Sequence, residues 1–320
     1  MGIIRYFKNV LRHDRNTRRL LNDISIQNSS LANEVRLSII NQRIEFLKNK
    51  TLASTNLGIT DEKVFPDKEL IVSLTTFGRR INEVYLAIES IMQGSIKPNR
   101  IILWLAEDEF KGKRLPTTLI NQQKRGLEIK YCEDIKSYKK IIPTLTMYPD
   151  AYIVTIDDDL MYEFDLLENL IQAQLGNEED ICACRMHKIT LNDQKRPNSY
   201  LQWDLQVYPK QNDKSSLHFL TSGGGTLFPP HCFNDEVLNK EAFMSLCPKA
   251  DDIWINAMLL LSGKSITKAY THSRFGDDFI EIRKEQDDAL SNENMNPSNC
   301  LNDIQFRAIC DKYDLYKYWI

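Results

Sequence analysis

Three features of the sequence predict an α/β protein built on a mostly parallel sheet with helices on both faces, preceded by an N-terminal helical arm. From Glu69 onward, short continuous apolar runs alternate with segments of helical period. The runs are unbroken instead of alternating, as strands buried on both faces require. Ahead of them lies a basic segment with a helical apolar stripe and then a stretch with no sustained period.

Residues 1–50 are the expected arm. Leu31, Val35, Ile39, Ile40, Ile44 and Leu47 recur at three- to five-residue spacing, which predicts a helix with one apolar face. That face either packs on its own domain or supports self-association into a homo-oligomer. Nearer the start, Ile3, Ile4, Phe7, Val10 and Leu11 share a face ringed by Arg5, Lys8, Arg12 and Arg15. This suits a peripheral membrane anchor and equally a solvated helix end. Residues 51–67 read as a linker. Strands are expected at 70–74, 100–105, 127–132 and 151–156, and helices over 82–93, 116–124, 138–147 and 163–173. The catalytic domain is expected to span 68–275, and 276–320 to form a covering tail with an amphipathic helix.

Composition excludes several classes. Of 320 residues, 42% are apolar and 27% charged, so the chain is neither disordered nor a small disulfide scaffold. The net charge of −3 divides into +6 over residues 1–50 (ten basic, four acidic) and −9 over the rest (31 basic, 40 acidic). An acidic body is not expected to bind nucleic acid. The seven cysteines have no zinc-type spacing and read as reduced structural thiols, which favours the cytoplasm. No run is long and apolar enough to span a membrane.

In sheets of this kind ligands bind beyond the carboxyl ends of the strands. The fourth expected strand ends in Asp157-Asp158-Asp159. Extended residues at i and i+2 point the same way, so Asp157 and Asp159 are expected to face one divalent cation, Mg²⁺ or Mn²⁺, bound through a substrate diphosphate. Asp158 would turn aside or meet a sugar hydroxyl. Acids at a helix N-terminus would look the same, so both readings stand on the triplet alone. Further along come Thr221-Ser222-Gly223-Gly224-Gly225-Thr226, where the backbone can approach a neighbour closely, and Asp251-Asp252 ahead of an apolar helical stretch.

This Asp-x-Asp after a strand, late in an array that opens with Val72-Ser73-Leu74-Thr75-Thr76-Phe77, resembles the nucleotide-sugar glycosyltransferases of the GT-A fold. Among them it is similar to the family 2-like bacterial enzymes that build capsules and surface polysaccharides. The resemblance covers roughly residues 69–275. It implies that Thr75, Thr76, Phe77 and Arg79 hold the nucleotide, with Arg79 or Arg80 on phosphate and Phe77 on base or ribose; a surface turn is the plainer alternative. It implies that Asp134 contacts base or ribose and that Lys139 and Lys140 stand at a phosphate or base position, where either would equally be a solvated helix residue. Ser222, Gly223 and Gly224 would line the donor sugar and acceptor, or make a tight chain crossing. The pair Asp251-Asp252 resembles the family's acidic pair at a helix start, where one carboxylate is the general base; Asp252 is assigned first and Asp251 second. The departure is Asp in place of Glu at the first position. His272, after the expected final strand, would complete the metal site with Asp157 and Asp159.

The expected function is therefore metal-dependent, inverting transfer of a sugar from a nucleotide-diphosphate donor to a glycan or lipid-linked acceptor in surface-polysaccharide synthesis, at the cytoplasmic side of the membrane. Two rivals stand beside it. A sugar nucleotidyltransferase would need a glycine-rich loop after the first strand, where Thr75–Arg79 has one glycine. A non-catalytic sugar- or partner-binding subunit on the same fold would not need both acidic pairs. Trp203 and Trp254 are expected in the core.

Overall fold

The computed structural model describes residues 31–209, 213–270, 279–282, 294–295 and 300–319. The chain divides into two compact units, Met1–Phe46 and Leu47–Ile320. In the first, the described residues are helical from 31 onward, as the apolar stripe predicts. The basic stretch before residue 31, with its expected membrane-facing residues, lies outside the described residues. No helix among the described residues is long and apolar enough to cross a membrane.

The second unit carries β1 (Leu70–Thr75), β2 (Arg100–Ala106), β3 (Leu127–Cys132), β4 (Tyr152–Thr155), β5 (Leu160–Met161), β6 (Ile181–Ala183), β7 (Met186–Lys188), β8 (His218–Leu220), β9 (Thr226–Phe228), β10 (Ile266–Lys268) and β11 (Ile280–Glu281). A seven-stranded sheet has the order β10-β6-β9-β4-β1-β2-β3. Its strands are parallel except β9, which runs against both of its neighbours. The four expected strands all form, each within one residue of its expected ends.

One face of the sheet is covered by helices at Tyr85–Met92, Thr117–Gln123 and Leu166–Leu175, packed on Leu70, Val72, Leu74, Leu103 and Leu105. The other face is covered by a 3₁₀ turn at Lys136–Lys140 and by helices at Ile142–Met147, Lys240–Leu246, Asp251–Leu261 and Leu301–Tyr313. The expected α/β architecture with helices on both faces is thus the observed one. Alternation explains the division: Ile181 and Ala183 enter one core, Cys182 and Cys184 the other. All seven cysteines are free thiols. Trp203 and Trp254 are buried, each donating its indole N–H to a backbone carbonyl, of Asn198 and Val237.

Topology places the crevice. From β1 the chain steps to β2 and β3 on one side and then returns to β4 on the other. The carboxyl ends of β1 and β4 are therefore adjacent while their connections diverge, which leaves an opening between them. Ser73, buried in β1, is satisfied under the Ile142–Met147 helix: its hydroxyl lies 2.7 Å from Thr144 Oγ1, which also accepts from Trp104 Nε1 at 2.7 Å.

The stretch expected as a linker is hydrogen-bonded to the body. Gly58 N–H donates to Arg125 O, Thr60 N–H to Pro98 O, and Asn99 Nδ2 to Thr60 O. Beneath it, Glu89 is fully buried and its Oε2 accepts from Arg125 NH1 at 2.8 Å, Gln122 Nε2 at 3.0 Å and Thr51 Oγ1 at 3.1 Å. Arg125 also donates to Asn56 O. Removing one partner of such a pair leaves the other charge buried and uncompensated. Glu89→Leu is thus expected to cost about 3–5 kcal/mol, and urea unfolding that shows a loss below about 1 kcal/mol would contradict this account.

Candidate active site

The Asp triplet sits directly beyond β4, at the switch between β1 and β4. Asp158 is buried and accepts from Thr76 Oγ1 at 2.5 Å and from Arg80 NH1 at 2.9 Å. The same Arg80 nitrogen donates to Asp159 Oδ2 at 2.9 Å. The Arg80 guanidinium lies over the exposed Phe77 ring, 5.0 Å from its centroid. The loop after β1 and the triplet after β4 are thereby tied into one wall. The triplet does not cap the helix that follows, which begins at Leu166 after Asp165.

A second wall comes from the C-terminal half. Asp251 and Asp252 open the Asp251–Leu261 helix, yet its N-cap is Ala250 and no side chain caps it. The Asp252 carboxylate accepts from Ser222 N–H at 2.9 Å and from Ser222 Oγ at 2.5 Å. Asn256, one turn on, holds this helix to β8: its side chain exchanges hydrogen bonds with the backbone of Leu220 and donates to Asp252 O.

Lys140 joins the walls. Its buried ammonium lies 2.9 Å from Asp157 Oδ1 and 3.0 Å from Asp251 Oδ2. Burial opposes its charge, but Asp157, Asp251 and Asp252 together hold its pKa well above the usual lysine value. The glycine turn is the floor. A Cβ at Gly223 would fall 1.6 Å from Asp157 Oδ2, so only glycine lets that carboxylate lie against the backbone. Tyr162 locks the contact: its hydroxyl donates to Gly223 O at 2.5 Å and accepts from Asp157 N–H at 2.7 Å. Thr155 Oγ1 donates to Ser222 O at 2.8 Å.

The acids are crowded. Burial, then repulsion from Asp157 and Asp158, push the Asp159 carboxyl up to about 6 against the pull of Arg80. Burial, then Asp251, push Asp252 up to about 6, with Lys140 and Ser222 opposing. Both shifts have one cause, carboxylates packed against one another where water does not screen them.

The structure brings together Thr76, Phe77, Lys140, Asp157, Asp158, Asp159, Ser222, Gly223, Asp251 and Asp252 among the residues singled out in the sequence. Gly224 follows in the same turn. Thr75 Oγ1 is spent on Trp104 O, and Arg79 is exposed outside the network, which uses Arg80. Asp134 and Lys139 pair with each other at 2.5 Å, with Lys136 also on Asp134 at 2.6 Å. Burial would raise the Asp134 pKa, but the two lysines hold it down at about 2. His272 lies outside the described residues. Tyr162, Asn256 and Arg185 were not singled out. Arg185 follows a strand at the same carboxyl edge and was open to the same rule; Tyr162 and Asn256 carry no sequence signal.

Lys140 engages Asp157 through Oδ1 and Arg80 engages Asp159 through Oδ2. The second oxygen of Asp157 lies against Gly223, which leaves Asp159 Oδ1 as the hard donor of the kind that Mg²⁺ or Mn²⁺ takes. Among the described residues no three His, Cys, Asp or Glu gather as a metal set. A cation there would have to take most of its ligands from a substrate's own oxygens or from water.

No family model matches the chain, and no curated protein does. Among solved structures, residues 1–349 of S. aureus TarS align over 64% of this chain and 59% of that one, with 10% identity and a TM-score of 0.43. The same protein in complex with UDP gives 64%, 59%, 9% and 0.42. A CMP:2-keto-3-deoxy-manno-octonic acid synthetase complexed with CTP aligns over 64% of this chain and 90% of its own, with 10% identity and a TM-score of 0.37. The chain spans less than two thirds of the TarS fragment, and likeness this distant carries no activity across.

Asp252 is protonated more readily folded than unfolded, so its contribution to stability is greatest below the ordinary carboxylate range and is lost as pH rises through about 6. Asp252→Asn is expected to raise the melting temperature at pH 8 by a few degrees, with the gain shrinking as pH falls through 6 toward 4. A gain of equal size at all pH values would show that the carboxyl is not strained by ionisation.

Proposed function

We propose that this chain is a glycosyltransferase that moves a sugar from a nucleotide-diphosphate donor to a hydroxyl acceptor with inversion. The observation that carries this reading is Lys140, which holds Asp157, beside the β1–β4 crevice, within one ammonium's reach of Asp251, beside the candidate base. Donor-end and acceptor-end acids so joined suit a reaction in which charge moves from one end to the other. The sequence resemblance at Val72–Phe77 and Asp157–Asp159 extends the reading to a glycan or lipid-linked acceptor in surface-polysaccharide synthesis.

In this reading Thr76, Phe77 and Arg80 receive the nucleotide, with the exposed Phe77 ring offered to base or ribose. Asp252 removes the proton of the acceptor hydroxyl as that oxygen attacks the anomeric carbon. The bond from that carbon to the diphosphate breaks, and its electron pair leaves with the nucleoside diphosphate. Ser222 fixes the base through two hydrogen bonds, so its orientation is set before substrate arrives. Lys140 keeps positive charge beside the developing anion. A divalent cation held by Asp157 and Asp159 would supply further charge to the diphosphate oxygens.

A thermal-shift screen of UDP, GDP, CMP and their sugars, each with Mn²⁺ and with chelator, tests the reading. One nucleotide is expected to raise the melting temperature, with the rise lost on chelation and in Asp159→Ala. Asp252→Asn is expected to keep that rise while its turnover falls by at least a hundredfold. No shift with any nucleotide would overturn the donor assignment, and full turnover in Asp252→Asn would overturn the base. Pyrophosphate release from a nucleoside triphosphate and a sugar 1-phosphate would replace the reading with nucleotidyl transfer.

A further inference from the structure

Arg185 has no part in the transfer described above, yet it stands at the same carboxyl edge. It lies just beyond β6, and its backbone carbonyl accepts from Thr221 N–H at 3.1 Å. The next residue, Ser222, makes both hydrogen bonds to Asp252. Arg185 is therefore joined to the candidate base through two consecutive residues. The glycine turn separates it from the donor wall: a Cβ at Gly223 would meet Asp157, and a Cβ at Gly224 would meet Arg185 Cβ at 2.5 Å and Phe279 Cζ at 3.2 Å.

Among the described residues the guanidinium has no carboxylate partner. The other two cations of the crevice each hold two carboxylates: Arg80 has Asp158 and Asp159, and Lys140 has Asp157 and Asp251. Arg185 forms no ion pair among the described residues, although five aspartates line the neighbouring crevice. Its Nε is shut from solvent and has no acceptor, while the side chain as a whole is half-buried, so its outer edge can be reached. The Thr221 hydroxyl, on the residue whose N–H meets the Arg185 carbonyl, is also buried without a partner. Tyr200 lies within reach of both charges: burial raises its phenol, Asp252 adds to that, and Arg185 opposes it.

A guanidinium stays charged in any protein, and burying one unpaired is costly. Its planar fork matches phosphate and carboxylate oxygens in pairs. A cation with no carboxylate partner among the described residues, linked to the base through Thr221 and Ser222 and across the turn from the donor wall, is arranged to meet an anion brought from outside. Resting on the transferase reading, we infer that Arg185 is the anion subsite of the acceptor, and that the acceptor is a saccharide bearing a phosphate or a carboxylate next to the hydroxyl that is glycosylated.

Titration calorimetry on the full chain tests this without turnover. The probes are a phosphorylated saccharide, a uronate-containing oligosaccharide and their neutral counterparts. One acidic class is expected to bind at least tenfold more tightly than its neutral counterpart, and which class does so identifies the anion. Arg185→Gln is expected to remove that preference while the melting-temperature rise with nucleotide is unchanged, and Arg185→Lys to restore it only in part. Equal binding of acidic and neutral probes, or an unchanged preference in Arg185→Gln, would overturn the inference. Loss of the nucleotide response in Arg185→Gln would assign the arginine to the donor and likewise overturn it. Acidic binding through Arg185 with no response to any nucleotide would retain the anion subsite and sink the transferase reading.

Discussion

One ammonium organises the crevice. Lys140 is buried, and a buried lysine keeps its charge only where acids surround it. Asp157 and Asp251 supply that environment from parts of the chain nearly a hundred residues apart. The bond is reciprocal, since the two acids would repel each other across the gap without it. The position of Lys140 is itself held by its 3₁₀ turn. Tyr138, two residues earlier, donates to Cys247 O at 2.8 Å and stacks on Phe243 with ring centroids 4.1 Å apart. The packing of the C-terminal half thus sets where the ammonium stands, and the ammonium sets the spacing of the acid pairs.

Around this pair, close backbone approach takes over from side-chain reach. The Ser222–Gly224 turn lies against Asp157 because Gly223 has no Cβ, and the Tyr162 hydroxyl, just after β5, joins the two. The antiparallel strand β9 makes this possible. Entering the sheet in reverse, it begins at the edge where its parallel neighbours end, so the turn before it lands among their carboxyl ends. A parallel strand in that place would have put the turn at the opposite edge. The crevice therefore depends on one reversed strand as much as on its acids.

Part of this was legible in the sequence. Continuous apolar runs at 70–74, 100–105, 127–132 and 151–156 have one physical meaning, burial on both faces, and the strands form there. The acid clusters were visible because unpaired carboxylates beside buried strands are costly. Their partners were less so. Arg79 and Arg80 are indistinguishable by type and neighbourhood; the turn after Phe77 aims Arg80 at the triplet. Lys139 and Lys140 are adjacent and both buried, yet one meets Asp134 and the other the crevice. Neighbouring residues leave a turn in different directions, and composition does not record them.

By itself, then, the sequence determined the layered α/β class, the strand positions and the carboxyl edge as the place for chemistry, because periodicity and the cost of burying charge are local properties. Only the tertiary structure decided that β9 runs in reverse, that Lys140 closes the gap between two acid pairs, and that Arg185, linked to Asp252 through Thr221 and Ser222, has no carboxylate partner among the described residues. Those facts depend on which distant segments meet, and packing of the whole chain settles that.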